Sequence, residues 1–167
     1  NDLNFGTYHY YRPTVYKSTD GGNSWNKLFS HDNVITSIVE TGDGSLVFRD
    51  WLYANPSGVS RYSGGVVTKT FSDGPVAMEY TAELLKARDG ALYFVSVDKS
   101  IDLNTTTIEY TEPGNAYLAA YKSTDNGVTW TQLGTLPNSW SVQGPLIESQ
   151  DGALYVASHS VCDRKDS

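Results

Sequence analysis

The chain has 167 residues and a net charge of −7, enough length for one domain with a substantial core and the wrong charge for a nucleic-acid or anionic-membrane partner. Its one cysteine, Cys162, excludes an internal disulfide framework, and three histidines with no close pair give no reason to expect a metal site or other cofactor. Charged residues are sparse at 19 % while aromatics reach 13 %, with 12 Tyr, 4 Trp and 15 Gly; this mix suits a twisted β protein whose aromatics fill the sheets or stack on sugars.

In chain order, an aromatic segment "GTYHYYRP" (6–13) precedes "YKSTDGGNSW" (Tyr16–Trp25), which reads as a hairpin loop. Next, "ITSIVE" and "TGDGSLVF" (41–48) give strands at 35–40 and 45–50 around an Asp-Gly turn, whose residues supply the positive φ angles of a tight hairpin. Strands at 58–63 and 66–71 follow, joined through "YSGGVVTKTF", which opens at Tyr62 as a degenerate form of the first loop. "AMEYTAELLKA" (77–87) holds good helix formers, but it stands ahead of a second Asp-Gly turn, "ARDGALYF" (87–94), and is read as strand. A polar insertion, 97–116, leads to "YKSTDNGVTW" (Tyr121–Trp130), then to "GPLIE" and a third turn, "SQDGALYV" (149–156).

The loops and turns keep a common phase. Tyr16 to Asp43 is 27 residues, Tyr62 to Asp89 is 27, and Tyr121 to Asp151 is 30. Each unit thus reads as four short antiparallel strands, A to D, the repeat of a β-propeller blade. The expected fold is all-β, with about three blades' worth of four-stranded sheet: a half blade 1–30, a blade 31–72, a blade 73–134 carrying the insertion 97–116, a half blade 135–160, and a tail 161–167. Closed propellers have four to eight blades, so the expectation is an incomplete propeller: a fragment of a longer chain, or a subunit completed by another copy.

Ser18-x-Asp20-x-Gly22-x-Ser24-Trp25 and Ser123-x-Asp125-x-Gly127-x-Thr129-Trp130 both match the Asp box, or bacterial neuraminidase repeat, and over residues 14–160 the chain resembles the sialidase-like Asp-box β-propellers. Asp boxes also occur in xyloglucan-active hydrolases, lectin-like proteins, receptors and assembly factors. The residues themselves explain that breadth: the Asp can accept N–H groups at the hairpin tip, the Gly permits angles closed to other residues, and the Trp can pack over the turn. One Asp per loop falls short of a calcium cage. Both boxes are therefore read as scaffold.

Alternating strand direction puts boxes and Asp-Gly turns at one end of every blade, and the resemblance implies that the opposite end holds the site. That end would present His9, Tyr11, Arg12, His31, Asp32, Trp51, Tyr53, Trp140 and His159. Arg49-Asp50 is the best candidate for an anion-binding and acid/base pair, and a surface ion pair explains it equally well. The arginine triad that the resemblance implies for a sialidase is not present: "NVIT" (33–36), "EYTA" (79–82) and "SVQG" (141–144), the stretches that would carry its first member, contain no Arg. The functional expectation is part of an extracellular, sialidase-like glycoside hydrolase. The alternatives are a non-catalytic propeller binding glycan or protein, and a structural propeller in an extracellular assembly. Secretion or a cell-surface location fits the Asn104-Thr105-Thr106 sequon and a start at Asn1 that reads as processed or excised; no run approaches the roughly 20 apolar residues of a membrane span.

Overall fold

The computed structural model describes residues 12–52, 55–73, 83–97, 118–137 and 139–160. These form twelve β-strands in four antiparallel sheets, with no helix among them. The chain divides into two compact units, Asn1–Val34 and Ile35–Ser167.

In the first unit β1 (Thr14–Lys17) pairs with β2 (Asn26–Ser30) across the loop 18–25. The second unit opens with a sheet of β3 (Val34–Glu40), β4 (Leu46–Leu52), β5 (Asn55–Ser63) and β6 (Val66–Ser72), neighbours in that order. The third sheet repeats the order with β7 (Leu85–Lys86), β8 (Leu92–Val97), β9 (Leu118–Ser123) and β10 (Thr131–Leu136). The fourth pairs β11 (Ser139–Glu148) with β12 (Leu154–Ser160). Strand type overrides helix propensity at Leu85–Lys86; residues 77–82 lie outside the described set, as do 98–117 of the insertion region and the tail.

The Asp-Gly turns share one hydrogen-bond pattern. Thr41, Ala87 and Ser149 each donate N–H to the carbonyl four residues on (2.9, 2.8 and 2.9 Å) and accept from the glycine three residues on (3.1, 3.0 and 3.1 Å). This is a three-residue loop closed by a glycine bulge, and only Gly44, Gly90 and Gly152 take positive φ there. The Asp serves differently from the expectation: its carboxylate accepts the N–H of Ser45, Ala91 or Ala153 and so seals the bulge.

The reading of Tyr62 as the start of a degenerate box needs correction. Ser63 pairs with Val66 around Gly64 (φ 58) and Gly65 (φ 87), the angles of a two-residue type I′ turn. All three such hairpins carry a bulge at one position, between Val15 and Tyr16, between Val59 and Ser60, and between Gln132 and Gly134. Aligned on that bulge, Ser60 and not Tyr62 stands where Tyr16 and Tyr121 stand. The tighter turn shortened the loop by two residues and displaced the sequence phase.

Alternation along the strands decides the packing. Val47, Val59 and Phe71 of the second sheet meet Leu92, Phe94, Ala119 and Tyr121 of the third. Phe71 contacts Phe94 and Tyr121 edge-on at 4.9 and 4.7 Å between centroids, while Phe94 and Tyr121 stack at 5.2 Å. Such pairs add about 0.5–1.5 kcal/mol each beyond burial. The opposite face of the third sheet packs Val95 and Leu118 on Val142 and Leu146 of the fourth. With both faces covered, β8 reads as a continuous apolar run instead of an alternating one.

Gly127 shows how closely the second and third sheets approach. It has φ +78, and a Cβ there would meet Val47 Cγ2 at 2.6 Å; Gly152 has a similar angle, φ +85, with nothing within 4 Å. Gly127→Ala is therefore expected to cost about 1–3 kcal/mol more than Gly152→Ala, the excess being overpacking and not backbone strain, when both are compared by urea denaturation.

Candidate functional site

In each box loop, side chains close the hairpin tip on itself. In the first box, the Ser18 hydroxyl donates to Asp20 Oδ1 at 2.8 Å and accepts the Gly22 N–H at 2.8 Å. Asp20 in turn accepts the Ser24 N–H at 2.9 Å and the Ser24 hydroxyl at 2.6 Å. The second box repeats this with Ser123 to Asp125 at 2.7 Å, Gly127 N–H to Ser123 at 2.9 Å, and Thr129 N–H to Asp125 at 2.9 Å. The tryptophans then diverge. Trp25 is exposed and its indole N–H donates locally, to the Gly22 carbonyl at 3.0 Å. Trp130 is half-buried, meets Phe94 edge-on at 4.8 Å, and donates to Thr70 Oγ1 of the second sheet at 3.1 Å.

Neighbouring tips in the second unit are also tied. Arg61 donates to Asp43 and to Ser45 Oγ, both at 2.7 Å, and its Nε to the Asn126 carbonyl at 3.2 Å. Arg88 donates its N–H to Glu148 at 2.9 Å and its guanidinium to the Gln150 carbonyl at 3.1 Å. The shallow cleft among these tips, about 240 Å³, is lined by Gly42, Asp89, Gly90, Ala91, Thr124 and Asn126. Of its side chains, Asp89 accepts the Ala91 N–H at 2.9 Å and Asn126 accepts the Gly42 N–H of a neighbouring tip at 3.2 Å.

The other end of the second unit carries a buried charge network. Arg49 and Asp50 are consecutive on β4, so their side chains leave opposite faces and do not pair with each other. Arg49 Nη1 and Nη2 donate to the two oxygens of Asp73 at 3.2 and 3.1 Å, with side-chain exposures of 3 % and 0 %. The guanidinium lies 4.8 Å from the centroid of Phe94, and the Ser96 hydroxyl donates to the same Asp73 carboxylate. On the other face Asp50 accepts from Ser60 Oγ at 2.6 Å and from Lys69 Nζ. Arg49 and Asp50 thus belong to two separate pairs back to back, one fully buried with Asp73 and one joining buried Asp50 to the part-exposed Lys69, and not to a surface ion pair with each other.

The remaining sequence candidates separate. Trp51 follows on β4, half-buried. Trp140 lies on β11 and His159 on β12, where the backbone of His159 pairs with Ser141, so both fall at the same end of the fourth sheet by strand direction. In the first unit Arg12 and Asp32 form an exposed ion pair at 3.1 Å, of a kind worth at most about 1 kcal/mol, and the His31 N–H bonds to the Pro13 carbonyl. His9, Tyr11 and Tyr53 lie outside the described residues. Asp73, Ser96, Ser60 and Lys69 were not read from sequence as partners of Arg49 and Asp50. Strand parity gave one available signal: Arg49 shares a face with the buried Val47 and so had to bring a counter-ion inward.

The repeat makes the network stand out. Aligning the three Asp-Gly turns sets Arg49 against Val95 and Ala157, and Asp50 against Ser96 and Ser158. A charged pair has been inserted where the other units place small or apolar side chains. No protein-family model, curated protein or solved structure matches the chain. Among the described residues no helix is long and apolar enough to cross a membrane.

Two predictions follow from these contacts. Truncating either member of the buried pair, by Arg49→Ala or Asp73→Ala, strands a charge and is expected to cost about 3–5 kcal/mol. The double change Arg49→Met with Asp73→Leu should recover most of that, as read from urea midpoints.

The second concerns acid. Hydrogen bonds from the Ser24 hydroxyl, then its N–H, then Ser18 lower Asp20 to about 2. At Asp125 burial pushes upward, but the Thr129 hydroxyl and N–H and the Ser123 hydroxyl outweigh it and also hold it at about 2. Lowered carboxylates stabilise the fold fully above their unfolded value near 3.8, and that contribution is lost as pH falls through about 2. The thermal midpoint should therefore drop between pH 4 and 2; Asp125→Asn should begin lower and drop less over the same interval.

Proposed function

We propose that this chain is part of an extracellular Asp-box β-propeller whose end opposite the boxes is a non-catalytic glycan-binding face. The four sheets are read as two complete blades and two half blades, the strands of each running in order from the inside outward. Sequential strand order, the shared bulge and the recurrence of like turns from sheet to sheet all support that arrangement.

The observation that carries the choice of binding over hydrolysis is the burial of Arg49 and Asp50. Side chains with exposures of 3 % and 0 %, already holding Asp73 and Lys69, are not poised to meet a sugar carboxylate or to shuttle a proton at solvent. What they do is fix the end of β4, and with it the adjacent half-buried Trp51, whose indole suits the apolar face of a pyranose. The sialidase-like hydrolase reading would require catalytic groups other than these two.

A glycan array combined with a fluorogenic sialoside assay tests the proposal. Retention of a defined glycan set without turnover is expected, with Trp51→Ala reducing binding at least tenfold in protein that still unfolds cooperatively in urea. Turnover of the sialoside, or an array on which no glycan is retained, overturns it.

A further inference from the structure

Asn126-Gly127 is the one Asn-Gly step in the chain, and it stands inside the second box. Such a step is chemically weak because no side chain on the glycine shields its backbone nitrogen from the amide before it. With loss of its proton, the Gly127 nitrogen can bond to Asn126 Cγ; the Cγ–Nδ2 bond breaks, and the side-chain nitrogen takes up a proton and leaves as ammonia. Water then opens the resulting five-membered imide at either carbonyl. The product at position 126 is aspartate or, where the chain now runs through the side chain, isoaspartate. One water enters and one ammonia leaves, with no redox change.

The fold already engages the groups this reaction needs. The Gly127 N–H donates to Ser123 Oγ at 2.9 Å, and that hydroxyl is itself turned to Asp125 at 2.7 Å. Asn126 Oδ1 accepts the Gly42 N–H at 3.2 Å, so the amide is held by another hairpin. The Asn126 carbonyl shares a rigid peptide plane with the Gly127 nitrogen, and it accepts Arg61 Nε at 3.2 Å. Asn126 has φ 59, a left-handed conformation that asparagine accommodates better than most residues. Ring closure calls on the same groups: the nitrogen gives up its bond to Ser123, and the amide gives up Gly42. Asn126 is half-buried and lines the shallow cleft among the tips, which gives water a way in and ammonia a way out.

We propose that Asn126 is a site of spontaneous deamidation whose rate is set by these contacts, so that conversion records opening of the tip. Either product adds a negative charge to a cleft that Asp89 already lines. An isoaspartate also lengthens the backbone directly before Gly127, where an added Cβ would meet Val47 Cγ2 at 2.6 Å. A tip converted to isoaspartate therefore does not re-seat against the second sheet, and the change runs one way. The inference rests on the tip contacts and is independent of any glycan.

Peptide mass spectrometry of the full chain, held at mildly alkaline pH, tests the proposal. Deamidation at 126 changes the peptide mass, whereas isomerisation at the Asp-Gly steps does not, so the two are told apart. The folded chain is expected to convert at least about tenfold more slowly than the same chain in unfolding urea. Arg61→Ala should raise the folded rate about fivefold or more, the effect of a lost hydrogen bond, and leave the rate in urea unchanged. Where Arg61→Ala does not stay folded, Arg61→Lys, which lacks the Nε donor, serves in its place. A folded rate equal to that in urea overturns the proposal, as does a folded Arg61 variant that converts at the wild-type rate. The isoaspartyl form, separated by ion exchange, should unfold at lower urea than the parent; an unchanged midpoint overturns the one-way step.

Discussion

The contact on which the second unit depends is the aromatic cluster of Phe71, Phe94, Tyr121 and Trp130. It joins two sheets that have no strand in common, and it draws on β6, β8, β9 and the residue just before β10. Nearly everything else of interest touches its rim. Trp130 brings the second box into it, Gly127 lets that box approach Val47, and the Arg49 guanidinium lies against the face of Phe94. Because β8 is covered on both sides, its side chains set the spacing to the second sheet and to the fourth at once.

That cluster also accounts for a buried arginine. Leaving water is costly for a guanidinium, and the cost is offset only when its donors and its flat face both find partners. Asp73 supplies a two-pronged acceptor, Phe94 a π surface, and Ser96 a further donor to the same carboxylate. The pair gains geometry more than net stability: it fixes the first residue after β6 to the far end of β4. Asp50, Ser60 and Lys69 do the same on the other face.

Much of the strand framework was legible because its signals are local. An Asp-Gly step makes the same bulged turn at 43, 89 and 151, and a Ser-x-Asp loop makes the same carboxylate-capped hairpin at 20 and 125. Two features were not legible, for different reasons. The Tyr62 phase failed because a Gly-Gly type I′ turn is shorter than the boxes it replaces, and only the bulge register reveals the offset. The partners of Arg49 and Asp50 failed because they are tertiary: Asp73 is 24 residues away and Lys69 lies two strands across the sheet. Strand parity could say that both side chains were buried on opposite faces, but not which group answered each charge.

The two tryptophans show why a repeated motif is a poor guide to function here. Ser18, Asp20 and Ser24 close their hairpin with the same bonds as Ser123, Asp125 and Thr129, yet Trp25 bonds to its own loop and Trp130 to a neighbouring sheet. The capping is complete before any neighbour is present, so the motif reports local backbone geometry and is silent about what its surroundings do. Information about a site must then come from where the units differ. The sharpest difference at the end away from the turns is Arg49-Asp50 in place of Val95-Ser96 and Ala157-Ser158. A sequence that repeats its turns so closely and then spends two buried charges at one unit's far end departs from its own rule. That departure, rather than the box, is what the proposed binding face rests on.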